Sequence, residues 1–270
     1  MTGSVAFVLG RPAGPRSVLH EVQALLRSAG VRVTVTTVSD QALPQDPWLS
    51  EVERTDLRVL KDLGTVALDT LVQRALPCCN DAAATALSLD KPATGRALRA
   101  AGVHVPDEVE LDDWPEVRRA AAAAPVVVKP RSGSQGRGVL LLDGPAPATP
   151  PSPGPWLVQQ RMQGDGLDRK LYVVGDAVDA VLRSWPAPAD RTGRPVPVDP
   201  ALREVALRAA EALGLEVCGV DVLVTADGPV VVDVNAWPGA KGVPGAAQRL
   251  SDHLLTRLGA TEVLACASSS

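Results

Sequence analysis

The sequence predicts an α/β (α+β) protein built from more than one packed unit. In the first eighty residues, short apolar runs alternate with helical stripes. In the second half, apolar strand-like runs are paired across the turn signals Gly175-Asp176 and Asp227-Gly228. A chain of 270 residues has room for one large or two to three small units of this kind.

The elements follow in order. Val5–Leu9 is apolar up to Gly10 and reads as a buried strand. Val18, Val22, Leu25, Leu26 and Ala29 form a helical stripe within Ser17–Ala29, stopped by Gly30. The β-branched run Val31–Val38 and then Leu57–Leu60 read as strands, and Thr65–Leu76 as a helix ended by Pro77. Asp81–Ala101 is helical with a break near Lys91-Pro92, and Glu116–Ala124 is an alanine-rich helix closed by Pro125. Val126–Lys129 and Val139–Leu142 read as strands on either side of a Gly/Ser-rich turn. Residues 144–155 and 186–200 are proline-rich surface loops. Trp156–Gln160, Lys170–Val174 and Val178–Leu182 are further strands, and Pro200–Leu213 is a helix stopped by Gly214. Val217–Val224 and Val230–Val234 form a hairpin, and a helix over Gly245–Leu258 closes the pattern.

Composition narrows the function. Hydrophobic residues at 46% against 21% charged are the balance of a globular chain, and with 3% aromatics the core rests on Val, Leu and Ala. A net charge of −4 leaves no basic surplus for a nucleic-acid backbone, so no nucleic-acid partner is expected. No apolar run approaches the ~20 residues of a membrane span, and the start lacks a basic, apolar leader; no membrane partner and a cytoplasmic setting are expected. The four cysteines (Cys78, Cys79, Cys218 and Cys266) include no C-x-x-C pair and read as free buried thiols. His20, His104 and His253 lack zinc-site spacing.

Two groups carry the chemistry. In the run from Val126 to Val139, a strand delivers Lys129 to a turn containing Ser132, Gly133, Ser134, Gly136 and Gly138. Glycines let backbone N–H groups approach an anion, so the turn suits phosphate, although a plain flexible hairpin has the same composition. It is not a Walker A loop, since no Gly-Lys-Ser/Thr follows. The second group is on the late hairpin. Asp233 and Asn235 share one strand face, with Val232 and Val234 on the other, and Asp221 on the paired strand reaches the same face. Two carboxylates and an amide oxygen suit Mg²⁺, with Mn²⁺ as the alternative ion. Solvated acids on an open sheet are the competing account, but these acids interrupt strongly apolar strands. Lys170, after Asp168-Arg169, faces either a phosphate or an exposed ion-pair partner.

In this order the pieces resemble the ATP-grasp superfamily over about Asn80 to Leu258. The resemblance implies an ATP-grasp fold preceded by a small α/β domain: an N-terminal substrate-side domain over 1–80, a central subdomain with the glycine-rich loop over 81–160, and a C-terminal subdomain with the Mg²⁺ site over 161–270. It makes Lys91 the first nucleotide-binding lysine, Lys129 the second, and Ser132 to Gly138 the phosphate-covering loop. Trp156 to Met162 become the adenine hinge, with the backbone of Arg161 and Met162 bonding the base beside Gln160. Asp168 joins the nucleotide side, and Asp221, Asp233 and Asn235 become the metal ligands. Lys170 and Arg183 complete the catalytic set with Lys129.

Within the superfamily, the Asn80-Asp81 and Asp90-Lys91 start, the glycine loop and the Val173-Val174-Gly175-Asp176 hairpin are most similar to RimK-type carboxylate–amine ligases. Those enzymes usually carry Glu at the position of Asp233, Arg at that of Lys170, and an Arg-x-Asn element where Arg183-Ser184-Trp185-Pro186 stands. Asp233 to Gly239 with Gly242-Val243, and Lys170, are instead similar to inositol trisphosphate kinases. The resemblance implies an ATP- and Mg²⁺-dependent ligase that joins a small carboxylate to an amine, on an amino acid or peptide, through an acyl phosphate. A small-molecule kinase is the alternative, and a non-catalytic nucleotide-binding module a third reading. Arg131, Arg137, Arg183, Arg191, Arg194 and Lys241 are available to an anionic acceptor, and a homodimer is the default assembly.

Overall fold

A computed structural model describes residues 3–39, 47–131, 138–184 and 193–268, with side chains to residue 259. Its strands form three sheets.

The first is parallel, in the order β2-β1-β3-β4: β1 (Ser4–Leu9), β2 (Arg32–Thr37), β3 (Leu57–Lys61) and β4 (Cys78–Cys79). Helix α1 (Val18–Ser28) begins where the Ser17 side chain accepts from the Leu19 amide, and it buries Leu19, Val22 and Leu26 against this sheet. Helix α2 (Pro47–Glu53) was not visible in the sequence. It is seven residues long and is held by burial of Trp48, Leu49 and Val52. The buried Arg58 guanidinium also donates to the carbonyls of Val52 and Glu53 at its end. Helix α3 (Thr65–Arg74) completes this layer.

Asp90 then breaks the helical stretch in two. It ends α4 (Ala82–Leu89), and its carboxylate caps α5 (Lys91–Ala100) by accepting from the Ala93 amide. The second sheet runs β5-β8-β6-β7: β5 (Glu108–Leu111), β6 (Val126–Pro130), β7 (Leu140–Leu142) and β8 (Trp156–Gln160). Helix α6 (Trp114–Ala123) packs on its apolar face around Trp114, Val128, Trp156 and Val158.

The third sheet runs β11-β10-β9-β12-β13: β9 (Leu167–Val174), β10 (Ala177–Ser184), β11 (Arg194–Val196), β12 (Val217–Thr225) and β13 (Gly228–Ala236). Both expected hairpins form, Val174 pairing with Ala177 and Thr225 with Gly228. Helix α7 (Pro200–Leu213), capped by Asp199 and closed by left-handed Gly214, covers one face with α4 and α5. Helix α8 (Ala246–Ser268) packs on α1 and joins the first layer to the third sheet, with His253 and Arg257 both on Glu216. No described helix is long and apolar enough to cross a membrane. Cys78, Cys79 and Cys218 are free and buried, as expected.

Asn80 ties the first layer to the third sheet. Fully buried, it accepts from the amides of Glu216 and Val217 and donates to the Val217 carbonyl. Asn80→Ala strands these groups and will cost about 3 kcal/mol of stability, read as a lowered midpoint in urea at constant slope. An unchanged midpoint would deny Asn80 this role.

Candidate active site

The open face of the third sheet carries the polar residues that interrupt its strands. On β9, Leu171 and Val173 enter the core under α7, so Asp168, Lys170 and Tyr172 stand on the opposite face. Register then aligns Lys170 with Asp221 on β12, and Asp221 with Asp233 on β13. Two carboxylates directly opposite each other repel. Lys170 relieves this, its Nζ donating to both oxygens of Asp221 at 2.7 and 2.9 Å. Gly219 makes room for it: a Cβ there would lie 2.9 Å from Lys170 Cε and 3.1 Å from Pro238 Cβ. Asn235 Nδ2 donates to Asp233 Oδ2 at 3.0 Å, leaving the amide oxygen of Asn235 for another partner.

The hairpin departs from simple alternation at one point. Asp221 faces Asp233 while Val222 faces Val231, so Val232 is the extra residue of a β-bulge. Val231 and Val234 are therefore the core residues, and the expected pairing of Val232 with Val234 is corrected. The Val232 carbonyl accepts from Lys129 Nζ at 2.9 Å, across from the second sheet.

That sheet forms the other wall. Val126, Val128, Trp156 and Val158 pack under α6, so Lys129 on β6 and Gln159 on β8 face the cleft. Gln159 Nε2 donates to Glu108 Oε2 on β5 at 2.7 Å. Glu108 Oε1 occupies the place where a Cβ on Gly95 would lie only 1.9 Å away, so α5 approaches closely because that residue is glycine. The cleft is lined by Ser88, Lys91, Thr94, Lys129, Gln159 and Asp233, together with Glu108.

Charge is concentrated there. Burial pulls the Lys129 ammonium below the ordinary lysine range, against the opposing pull of Asp233. Burial also draws on Lys170, but Asp221 outweighs it and holds that ammonium above its usual value. Burial, and then Asp221, raise the Asp168 carboxyl, with Arg183 opposing at 3.9 Å.

The structure thus brings Lys91, Lys129, Lys170, Asp221, Asp233 and Asn235 together, with Asp168 and Arg183 farther along the same face. The residues expected at the adenine hinge lie at the end of β8. The Arg161 amide donates to the Pro125 carbonyl, and its side chain pairs with Asp143, while Gln160 is exposed and Met162 half-buried. Gly138 has φ 72°, while Ser132, Gly133, Ser134, Gly136 and Arg137 lie outside the described residues, as does Arg191. Arg131 is held by Asp90 and Glu110. Glu108 and Gln159 were missed. The signal for Gln159 was alternation, since Val158 belongs to the core and its neighbours must face away.

Two sheets enclosing a lysine- and carboxylate-lined cleft, behind a parallel α/β layer, define the ATP-grasp fold. The chain belongs to the RimK-like ATP-grasp family, whose domain model matches residues 108–250. It is 33% identical over 190 residues to a "Probable alpha-L-glutamate ligase" of Stenotrophomonas maltophilia, covering 62% of this chain and 65% of that protein. The chain therefore spans just under two thirds of that relative's length. A RimK domain ATP-grasp protein from Sphaerobacter thermophilus superposes with TM-score 0.70 at 25% identity, covering 94% of this chain and all of that one (100%). The ATP-grasp ligase PsnB, complexed with precursor peptide PsnA2 and AMPPNP, shares the fold with TM-score 0.65 at 20% identity over 95% and 97% of the two chains.

Proposed function

We propose that this protein is an ATP-dependent carboxylate–amine ligase that forms an amide or peptide bond and releases ADP and phosphate. The observation that carries the reading is the Lys170–Asp221–Asp233 row, with Asn235 beside it, facing Lys129 and Lys91 across one cleft. A carboxylate oxygen attacks the γ-phosphorus as its bond to the bridging oxygen breaks, giving ADP and an acyl phosphate. An amine then attacks the acyl carbon, and phosphate departs with the oxygen the carboxylate contributed.

Asp221, Asp233 and Asn235 fit Mg²⁺. They supply hard oxygen donors on one face, and the Lys170 ammonium already stands as a cation against Asp221. Mn²⁺ would use the same ligands. When bound, the ion neutralises phosphate charge. Lys91 and Lys129 hold phosphate oxygens, Lys170 keeps the acidic row from repelling the nucleotide, and the cleft excludes water from the acyl phosphate. Arg183 stands 3.9 Å from Asp168, at the end of the row away from Gly219. The relatives' name directs the substrate class to amino acids or peptides, and PsnB's precursor peptide is consistent with this. Cytoplasmic action belongs to the same proposal, supported by the free thiols.

Lys129→Ala will raise KM for ATP by about 10–100-fold, the worth of one charged hydrogen bond, with the melting temperature little changed. An unchanged KM would remove Lys129 from the nucleotide site. The function itself is tested by ADP release against amino acids and dipeptides, with hydroxylamine as trap and inositol phosphates as contrast. ADP with an acid plus a hydroxamate establishes the ligase. ADP only with a polyol phosphate and no hydroxamate would establish the kinase reading, which the run from Asp233 to Gly239 supports.

A further inference from the structure

Resting on the ligase reading, we infer that the crevice at the carboxyl ends of β1 and β3 binds the carboxylate of an amino-acid substrate, with Lys61 as its ion-pair partner. The topology of the first layer makes these strand ends a switch point. The chain leaves β1 for β2 on one side, then enters β3 on the other, so the strand order reverses between β1 and β3. Open parallel sheets bind ligands outside the carboxyl ends of strands at such a switch point. The residues there are Gly10 and Arg11 after β1, and Lys61 and Asp62 at the end of β3, with the Gly10 amide donating to the Lys61 carbonyl at 2.9 Å.

Lys61 has a charge without a matching anion. It is half-buried, and its Nζ donates to the carbonyl of Trp237, a neutral acceptor. Among the described residues no carboxylate lies within ion-pair distance of it. Asp62, the acid that acts on it electrostatically, is engaged by Arg11 Nε at 3.0 Å. Burial holds this ammonium below the ordinary lysine range, with Asp62 opposing and Arg11 adding to the effect. A desolvated cation facing only a carbonyl calls for an anion.

Its position says which anion. Trp237 stands two residues beyond Asn235, and the next residue, Pro238, packs at Gly219 beside Lys170 Cε. Lys61 is therefore at the edge of the row that would carry out phosphoryl transfer. Asp62 (φ 55°) and Trp237 (φ 43°), on the two sides of this contact, both hold left-handed backbone, a strain that persists where surroundings fix it. Trp237 is fixed by its Nε1, which donates to the Cys79 carbonyl at 2.6 Å. A carboxylate paired with Lys61 keeps its charge and is a poor nucleophile. It therefore belongs to the amino acid that contributes its amine, whose carboxylate survives the reaction.

The test is titration calorimetry of L-glutamate and of its α-amide, isoglutamine, into the full chain with AMPPNP and Mg²⁺, for wild type, Lys61→Met and Lys61→Arg. Wild type is expected to prefer glutamate by about 10²-fold, Lys61→Met to lose the preference and Lys61→Arg to keep most of it, with AMPPNP affinity the same in all three. If Lys61→Met loses AMPPNP binding as well, Lys61→Gln and Lys61→Arg decide by the same comparison. Equal binding of the two ligands by wild type, or a preference retained without the lysine, overturns the assignment; hydroxamate formation by wild type would leave the ligase standing. A wild type that binds AMPPNP but neither ligand, and releases no ADP with any amino acid, overturns both.

Discussion

Asp233→Ala is expected to fold normally and to lose ATP-dependent turnover by about 10²–10³-fold, the scale set by removing one group that stabilises transition-state charge. Asp233 faces Asp221 across β12–β13, receives the Asn235 amide, and is the acid nearest in effect to Lys129. On the proposed metal assignment, its loss removes one ligand and releases another. Stability should change little, because the side chain is on the open face and Val234 beside it remains in the core. Removing one of two facing carboxylates also removes repulsion. The check pairs steady-state turnover with a thermal melt. Turnover like that of wild type at saturating Mg²⁺ would sink the metal assignment.

Lys170→Met should have the second large effect, one that depends on magnesium. Lys170 and Asp221 are mostly shielded from water, with 15% and 20% of their side chains exposed, so breaking the pair leaves two facing carboxylates with little solvent compensation. The cost is about 3 kcal/mol, or roughly 8 °C of melting temperature. A divalent ion binding the folded state alone recovers part of that loss by mass action. The melt of Lys170→Met is thus expected to rise with millimolar Mg²⁺ by several degrees more than that of wild type. Equal shifts in the two proteins would mean that the acids are not a metal site.

What could be read beforehand was what left a mark on hydrophobic pattern. Asp221 and Asp233 stood out because charge interrupts apolar strands, and Lys129 because a valine run ends on it before a glycine turn. The two hairpins were legible from Gly175-Asp176 and Asp227-Gly228, whose glycines hold positive φ, 56° and 112°. The features that tertiary contact creates were not legible. The bulge at Val232 shifts alternation without altering composition, yet it presents the carbonyl that receives Lys129. Strand β5, four residues mostly open to solvent, exists because β8 pairs with it, so Glu108 could not be placed. Helix α2 depends on Arg58 from the following strand, and the position of Lys61 against Trp237 needs the fold of both regions.

The most direct test of the central claim follows oxygen. With the acid found in the ADP-release panel labelled with ¹⁸O in its carboxylates, and L-glutamate or another amine as acceptor, an acyl phosphate requires one labelled oxygen to leave with phosphate. The expected result is ¹⁸O in the released phosphate, in proportion to ADP formed and lost in Asp233→Ala. ADP formation with unlabelled phosphate, or with phosphate retained as a stable ester, would contradict the ligase account.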